Sequence, residues 1–428
     1  MGKKSSVRIV VLVVIILLLF TALYIQIRNQ KYLANPATLL ELENSQLFTT
    51  KYLPLQRIVY SSYGLINQKL DQTNGDYTQL DQVEGSLVTS NEKMNSTDVQ
   101  VVINIVGDVI PHSDLQVEAA LNGATYYPMM MNIQKVLKSG DLNIANLETP
   151  VAPSYPYSGS NFRFNASPLL LTALKGVGFD LMLTANNHAI DQGDEGYRET
   201  IESVKNANLI PLGSWQNTNS EGLSEKSGNI QVIKGIKVGL INYTLLSNIQ
   251  PNNPNLVNYI SDSNRATKTI TKHIQRLKKN GAEIVILLIH WGVEYHIFPE
   301  KNIYQLANEL IHSGADIIIG GHPHVIQPVQ FIQSGSKNKM VVYSLGNFIS
   351  HQRGLSRYGM LMQLVLRKNQ QDEVYLAKAI PKILEMRLSA DDVSINNKTY
   401  TYFGFMLDEV PLNSFLNYQK QQLSIKTN

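Results

Sequence analysis

The 428-residue sequence contains no cysteine. That excludes disulfides, thiolate zinc sites and a thiol nucleophile, and it leaves any metal to His, Asp, Glu and Asn. Charge is sparse as well, at 17% of residues with a formal net charge of +3. Several of the positive charges sit at the very start, at Lys3, Lys4 and Arg8. No long basic stripe follows, since Lys278-Lys279 is only a local pair, so nucleic acid is not an expected partner. A small-x-small cleavage site is also missing after the apolar run that ends at Phe20. A secretory signal peptide would carry one, so the run is expected to remain as an anchor.

What is present begins with that run. Ile9–Phe20 is continuously apolar, and Ala22, Leu23, Ile25 and Ile27 extend it. From Val7 to Ile27 a helix would span about 31 Å, enough to cross the hydrocarbon core of a bilayer. The basic flank places the N-terminus in the cytoplasm and the remainder outside, so the expectation is a single-pass protein of the cell membrane with an extracellular C-terminal domain. Residues 28–98 are polar and interrupted, with turn signals at Asn74-Gly75 and Glu84-Gly85, and read as a stalk, a membrane-proximal cap or a solvated linker.

From Val99 the texture changes to strands alternating with helices, the pattern of an α/β fold. Strands are expected at Val99–Val106, Leu142–Ala145, Leu181–Thr184, Glu283–Ile289 and Met340–Leu345, with a hairpin at Ile230–Ile233 and Ile236–Tyr243. Helices are expected at Gly193–Asn208, Thr269–Asn280 and Asn302–Ser313, the last two stopped by Gly281 and Gly314. Met360–Leu366, Glu373–Ile380 and Ile383–Leu388 alternate like antiparallel strands completing a sheet. The domain organisation follows as 1–27 cytoplasmic tip and anchor, 28–98 stalk, 99–390 the α/β domain, and 391–428 a C-terminal extension.

Chemistry concentrates where these strands end. The run Ile317–Gln327, IIIGGHPHVIQ, is a buried strand broken by Gly320-Gly321, with His322 and His324 flanking Pro323. In a loop leaving a strand, histidines two apart can aim at one region, and proline limits their swing. Neutral imidazole is a common ligand for divalent transition metals. Asp108 ends the first strand after Gly107, and Glu148 follows the second. Either carboxylate could hold a cation, or simply form the turn after its strand. The third strand is followed by Asn186, Asn187, His188 and Asp191. The Asn187 carboxamide is a hard neutral ligand, His188 can donate a proton to a leaving oxygen, and Asp191 can orient that ring. His290 ends another strand, with Trp291 beside it as a packing residue. Three histidines, two carboxylates and an asparagine at strand ends suit two divalent ions with mixed N and O ligands, such as Mn, Fe or Zn. A pair of ions can activate a water and clamp a phosphoryl or acyl oxygen.

These residues stand in motifs: V-G-D (Val106–Asp108), N-L-E-T-P (Asn146–Pro150), A-N-N-H-A-I-D-Q-G (Ala185–Gly193), H-W-G-V-E-Y (His290–Tyr295), G-G-H-P-H-V-I-Q-P (Gly320–Pro328) and Y-S-L-G-N-F (Tyr343–Phe348). At these motifs the chain resembles the CapA-type poly-γ-glutamate capsule biosynthesis family, a branch of the calcineurin-like metallophosphoesterase superfamily. The resemblance runs across roughly residues 100–350 and implies a two-sheet α/β sandwich flanked by helices. It implies that Asp108 serves a first metal, Glu148 bridges, Asn187, His290 and His322 serve a second metal, and His324 returns to the first. By the same resemblance His188 is the proton donor. One departure is plain: the superfamily has Asp-x-His at the first motif, whereas Val109 and Ile110 follow Asp108 here and the next histidine is His112.

The family resemblance implies a role in making or exporting anionic poly-γ-glutamate at the cell surface, in company with polymer ligase or export subunits in the membrane. It leaves three functions open: a metal-dependent hydrolase or transferase acting on polymer or surface carrier, a non-catalytic export scaffold, or a phosphodiesterase unrelated to capsule.

Overall fold

The computed structural model describes residues 87–88, 98–121, 125–159, 163–214, 228–334, 337–395 and 398–411. The anchor expected over residues 1–27, and nearly all of the stalk, lie outside these. Among the described residues no helix is long and apolar enough to cross a membrane.

In chain order the elements are β1 (Leu87–Val88), β2 (Val99–Val109), α1 (Ser113–Leu121), α2 (Tyr127–Met130), α3 (Gln134–Lys138), β3 (Leu142–Leu147), α4 (Leu169–Val177), β4 (Leu181–Leu183), α5 (Gly193–Asn206) and β5 (Ile210–Leu212). Then come β6 (Gly228–Ile233), β7 (Ile236–Thr244), α6 (Ser263–Lys279), β8 (Ile284–His290), α7 (Lys301–His312), β9 (Ile317–Gly321), β10 (Val329–Ser334), β11 (Lys337–Val342), β12 (Asn347–Ile349), β13 (Tyr358–Lys368), β14 (Val374–Ile395) and β15 (Lys398–Val410).

They form two sheets. One has nine strands in the order β1-β14-β13-β2-β3-β4-β5, with β12 added against β2 and β15 against β14. The other has six, in the order β10-β11-β9-β8-β7-β6. Strands β2 to β5 run parallel in the first sheet, and β7, β8, β9 and β11 run parallel in the second. Period-two alternation on β8 shows how the layers are built. Ile284, Ile286 and Leu288 face a core shared with Ile103, Ile144 and Leu364 of the first sheet, whereas Val285, Leu287 and Ile289 pack with α6 and α7. On the far side of the first sheet, Ala145 and Leu147 pack with Leu170, Leu174 and Val177 of α4. The fold is therefore a mixed α/β arrangement of two facing sheets with helices outside. Each fully buried Ile or Leu in such a core contributes about 1.5–3 kcal/mol of hydrophobic stabilisation.

Local chemistry explains the helix ends. Asp262 caps α6 by accepting the Arg265 backbone N–H at 2.6 Å, so this helix starts six residues before the Thr269 expected from apolar spacing. Ile270, Ile274 and Leu277 form its buried face.

The first sheet departs from expectation at its C-terminal strands. The stretches Glu373–Ile380 and Ile383–Leu388 are one strand, β14, passing straight through Pro381. Proline is tolerated because it lies between the residues paired with β1 (378–379) and those paired with β15 (from Ile383), where β14 changes its outer neighbour. Strand β14 continues to Ile395 and β15 returns beside it, so the sheet extends beyond residue 390. Leu87-Val88, within the expected stalk, pair with Lys378 and Ala379.

The first strand also runs past its expected end at Val106. Its pairing with β3 shifts by one residue between Ile105 and Asp108, the mark of a β-bulge. A Cβ at Gly107 would lie 1.8 Å from the Gly346 carbonyl oxygen, so only glycine permits this close crossing. Beyond it β2 gains a second parallel neighbour, β12, with Asp108 opposite Asn347. The bulge re-aims the strand's last residues at the edge where both sheets deliver their carboxyl ends.

Candidate metal centre

Because the parallel strands of each sheet end on the same side, the residues expected at strand ends converge. Donor atoms of Asp108, Glu148 and His290 lie within 4.8 Å of one another, and so do those of Glu148, His322 and His324. Glu148 is common to both groups, the position a bridging ligand would take. The first sheet supplies the carboxylates and the second supplies the imidazoles. Asp108 and Glu148 are wholly buried, and the three histidines nearly so.

Asp108 is held on all sides. Its Oδ1 accepts from Asn146 Nδ2 at 2.8 Å, and its Oδ2 accepts from the His322 backbone N–H at 3.3 Å and lies 3.2 Å from His324 Nδ1. Burial alone would raise its pKa, but the His324 hydrogen bond, the neighbouring imidazoles and Asn146 bring it down to about 2. Gly321 makes room for it, since a Cβ there would approach Asp108 Oδ1 to 2.9 Å.

His324 Nδ1 also lies 3.1 Å from Asn347 Oδ1. With two oxygen acceptors at Nδ1, the proton is assigned to that nitrogen. The lone pair then resides on Nε2, which is 3.8 Å from Glu148 Oε1. His290 is tied by Asn146 Nδ2 at 3.3 Å from its Nδ1, and its Nε2 lies 2.9 Å from Asn187 Oδ1. Burial pushes His290 down to about 3 and His322 well below the usual imidazole range, so both are neutral. Neutral imidazole is the ligating form.

Glu148 is only partly satisfied. Burial and the negative charge of Asp108 push its carboxyl well above the usual range. Its Oε1 accepts no hydrogen bond, although His290 Nε2 is within ion-pair reach at 3.4 Å. His322 Nδ1 is likewise buried without a partner. Two unpartnered buried donor atoms in one cluster are costly unless something else binds them. A divalent cation fits both, and the N and O donor set matches a borderline transition ion.

The backbone here is strained as well. Of six non-glycine residues with positive φ among the described residues, three are His322 (101°), His324 (57°) and Tyr295 (65°). Such left-handed conformations persist in bulky residues only where the surroundings enforce them, and they cluster at functional sites.

Beside the cluster, His188 Nδ1 lies 2.7 Å from Asp191 Oδ2, which also accepts the Phe164 backbone N–H at 2.8 Å. Phe164 packs edge-on against the His188 ring at 4.6 Å. Asn186, by contrast, serves the loop: it accepts from the His188 backbone N–H and donates to the Leu147 carbonyl.

His112 stands apart from both donor groups. Its Nδ1 accepts the His351 backbone N–H at 3.3 Å, its ring packs on Phe164 at 5.6 Å, and burial brings its pKa down to about 4. The place two residues after Asp108 is taken by Ile110, whose N–H bonds to the Ile349 carbonyl at 2.7 Å and continues the pairing of β2 with β12.

Sequence reasoning missed three asparagines. Asn146 links Asp108 to His290, Asn347 fixes the His324 ring, and Asn248 places Nδ2 3.4 Å from both His188 ring nitrogens. Asn146 and Asn347 are polar residues at the ends of buried strands, a signal that could have found them.

The chain is 29% identical over 296 residues to the capsule biosynthesis protein CapA of Bacillus anthracis, covering 65% of each chain, just under two thirds of that relative's length. It is 27% identical over 292 residues to the PGA biosynthesis protein CapA of Bacillus subtilis, covering 67% of this chain and 72% of the relative. A shorter similarity, 26% over 155 residues, covers 33% of this chain and 23% of a 2',3'-cyclic-nucleotide 2'-phosphodiesterase/3'-nucleotidase of Salmonella typhimurium. The family model for the bacterial capsule synthesis protein PGA_cap matches residues 102–352, more than half of the chain and every residue of the cluster. The chain belongs to the bacterial capsule synthesis PGA_cap family.

Proposed function

We propose that this protein is a membrane-anchored, metal-dependent hydrolase or transferase of metallophosphoesterase type, acting outside the cell in poly-γ-glutamate capsule synthesis or export. Its substrate is the anionic polymer itself or a phosphorylated surface carrier. Its partners are the bilayer, through residues 1–27, and the membrane subunits that polymerise or export the chain. The single observation that carries the reading is the buried cluster of Asp108, Glu148, His290, His322 and His324, with Glu148 Oε1 and His322 Nδ1 unpartnered. By the family resemblance Asp108, Glu148 and His324 would hold one ion and Glu148, Asn187, His290 and His322 a second, each being Mn, Fe or Zn, whereas the donor atoms group as Asp108, Glu148 and His290 and as Glu148, His322 and His324, so His290 and His324 stand exchanged between the two. Bound ions would supply Lewis-acid polarisation of a phosphoryl or acyl oxygen and a water of lowered pKa.

The chain's own residues do the rest. Asp191 accepts from His188 Nδ1–H, so that Nε2 would carry the ring's second proton and give it to the leaving oxygen, leaving the ring neutral. Burial excludes bulk water from the ligand cluster and strengthens every electrostatic contact within it. This His188–Asp191 pair favours catalysis over a scaffold, which has no need of an oriented proton donor. The similarity to a phosphodiesterase and nucleotidase over a third of the chain supports phosphoryl transfer as the runner-up chemistry, separate from capsule.

The test is metal analysis of the fragment starting at Asp98, with turnover assayed on poly-γ-glutamate and on bis(p-nitrophenyl) phosphate. Metal binding with cleavage of the polymer supports the capsule reading, and cleavage of the phosphodiester alone supports the runner-up. A fragment that binds no metal and turns over neither would sink both. Protease added to intact protoplasts should remove the domain, and protection of the domain together with a cytoplasmic control would refute the topology.

A further inference from the structure

Tyr295 carries more structure than a loop residue needs. It is 47% exposed, yet its backbone is left-handed at φ 65° and its N–H is held by the Pro323 carbonyl at 2.7 Å. That bond ties the loop after β8 to the His-Pro-His turn after β9. Its ring lies 5.9 Å from the His324 imidazole. An aromatic residue kept in an unfavourable conformation, half in solvent and beside a candidate ligand, points to use rather than packing.

A chain of hydrogen bonds fixes which way its hydroxyl works. His324 Nδ1–H faces Asn347 Oδ1 at 3.1 Å. Asn347 Nδ2 donates to Gln352 Oε1 at 2.9 Å and to the Ser356 carbonyl at 2.7 Å, which settles the orientation of that amide. Gln352 Nε2 then donates to the Tyr295 hydroxyl oxygen at 3.3 Å. Every link runs in the same direction, outward from His324. The phenol oxygen is an acceptor in this chain, and among the described residues its own proton has no acceptor. Aligned donor chains polarise one another, which strengthens the last donor.

We propose that Tyr295 is a substrate-contact residue whose hydroxyl donates a hydrogen bond to a phosphoryl or acyl oxygen of the substrate at the metal centre. The inference rests on the reading of that centre given above. Asn347 and Gln352 are positioning residues that act through Tyr295, and a neutral phenol suits the task because it donates to an anionic oxygen across the physiological pH range.

The experiment uses the full chain in detergent, loaded with Mn, with metal content and melting temperature measured for each variant. Orthophosphate and a short γ-glutamyl oligomer are titrated separately by calorimetry, so that the two sources of the oxygen are told apart. Tyr295→Phe keeps the ring and removes one donor. It is expected to weaken whichever probe presents the recognised oxygen about tenfold, with metal content and melting temperature unchanged. Gln352→Leu should give a smaller loss, and the double variant should be no worse than Tyr295→Phe alone, since both act through one hydroxyl. Unchanged affinity for both probes in Tyr295→Phe, no binding of either probe by the metal-loaded parent, or losses that add, would each overturn the proposal and leave the metal centre standing. Loss of metal or of folding in Tyr295→Phe would make the residue structural and overturn it too. A parent chain that takes up no metal would overturn the reading of the centre and this contact with it.

Discussion

His188 Nδ1 stands 2.7 Å from Asp191 Oδ2, and neither ring nor carboxylate is free to turn, because Phe164 holds both. The imidazole is therefore left with Nε2 as its working nitrogen. If that nitrogen is the general acid, His188→Asn keeps the metal and loses most turnover, about 10²–10⁴-fold. The loss depends on the leaving group: an activated aryl ester, which departs without a proton, suffers less than an alkyl ester. Metal analysis and paired kinetics check this, and equal damage to both esters, or loss of metal, would remove the acid from the mechanism.

Asp191→Asn keeps the hydrogen-bonding shape but removes the charge that orients the ring. The expected loss is smaller than for His188→Asn, about 10–100-fold, in the same leaving-group order. The Phe164 backbone N–H still finds an acceptor, so the melting temperature changes little. A loss as large as that of His188→Asn, accompanied by a drop in melting temperature, would mean that Asp191 holds the loop rather than the ring.

His290→Ala and His322→Ala each lower bound metal without unfolding the domain. Both side chains leave the core at strand ends, so their removal opens little apolar volume. Metal stoichiometry from elemental analysis, with circular dichroism as the folding control, is the measurement. Unchanged stoichiometry in both variants would dismantle the proposed centre.

Glu148→Gln separates stability from function. In the unfolded chain this carboxyl titrates near the ordinary 4.5, and in the metal-free fold burial and Asp108 hold it well above that. Its protonated form therefore contributes stability that is fully present below pH 4.5 and is lost as the pH rises toward the folded-state value. Within that window the loss is about 1.4 kcal/mol per pH unit. Glutamine cannot titrate, so metal-free Glu148→Gln lacks this slope and is more stable than the metal-free parent at neutral pH, while it binds less metal. Denaturant unfolding from pH 4 to 8 in a chelator tests it, and a parent with no extra slope above pH 4.5 would refute the charge argument.

The strand ends were legible because buried parallel strands announce themselves as short apolar runs, and polar residues directly after them have few other reasons to be there. Asp108, Glu148, His290, His322 and His324, which the structure brings into two donor groups, were read this way, as were Asn187 and His188 beside them. Trp291 was read as packing, and it is fully buried with its indole N–H on the Tyr343 carbonyl at 2.9 Å. His273 on α6 is a buried histidine, its Nδ1 2.5 Å from the Tyr243 hydroxyl. What could not be read depends on distant partners. Strand β12 is three residues long and exists because the Gly107 bulge gives it an edge to join. Asn347 looks like an ordinary turn residue until β12 carries it to His324. The gap between the two stretches expected at Glu373–Ile380 and Ile383–Leu388 is bridged at Pro381, where β14 changes its outer neighbour. The role of Ile110 in place of a histidine follows from its bond to Ile349, which no local pattern predicts.

The interleaving of the first sheet has a practical consequence for anyone cutting this chain into pieces. Strand β2, which carries Asp108 one residue before its end, is flanked on one side by β3 and on the other by β13, with Ile105 opposite Met362. The family match stops at residue 352, before β13 begins at Tyr358. A fragment trimmed to the matched boundaries would keep every candidate ligand, and β12 beside Asp108, but lose the strand that pairs with the body of β2 up to Ile105. It would also expose Met360, Met362 and Leu364 positions of the shared core as an open seam along β2. Such a piece should be purified as an aggregate, and its failure to hold metal would report a missing neighbour in the sheet, not a missing ligand.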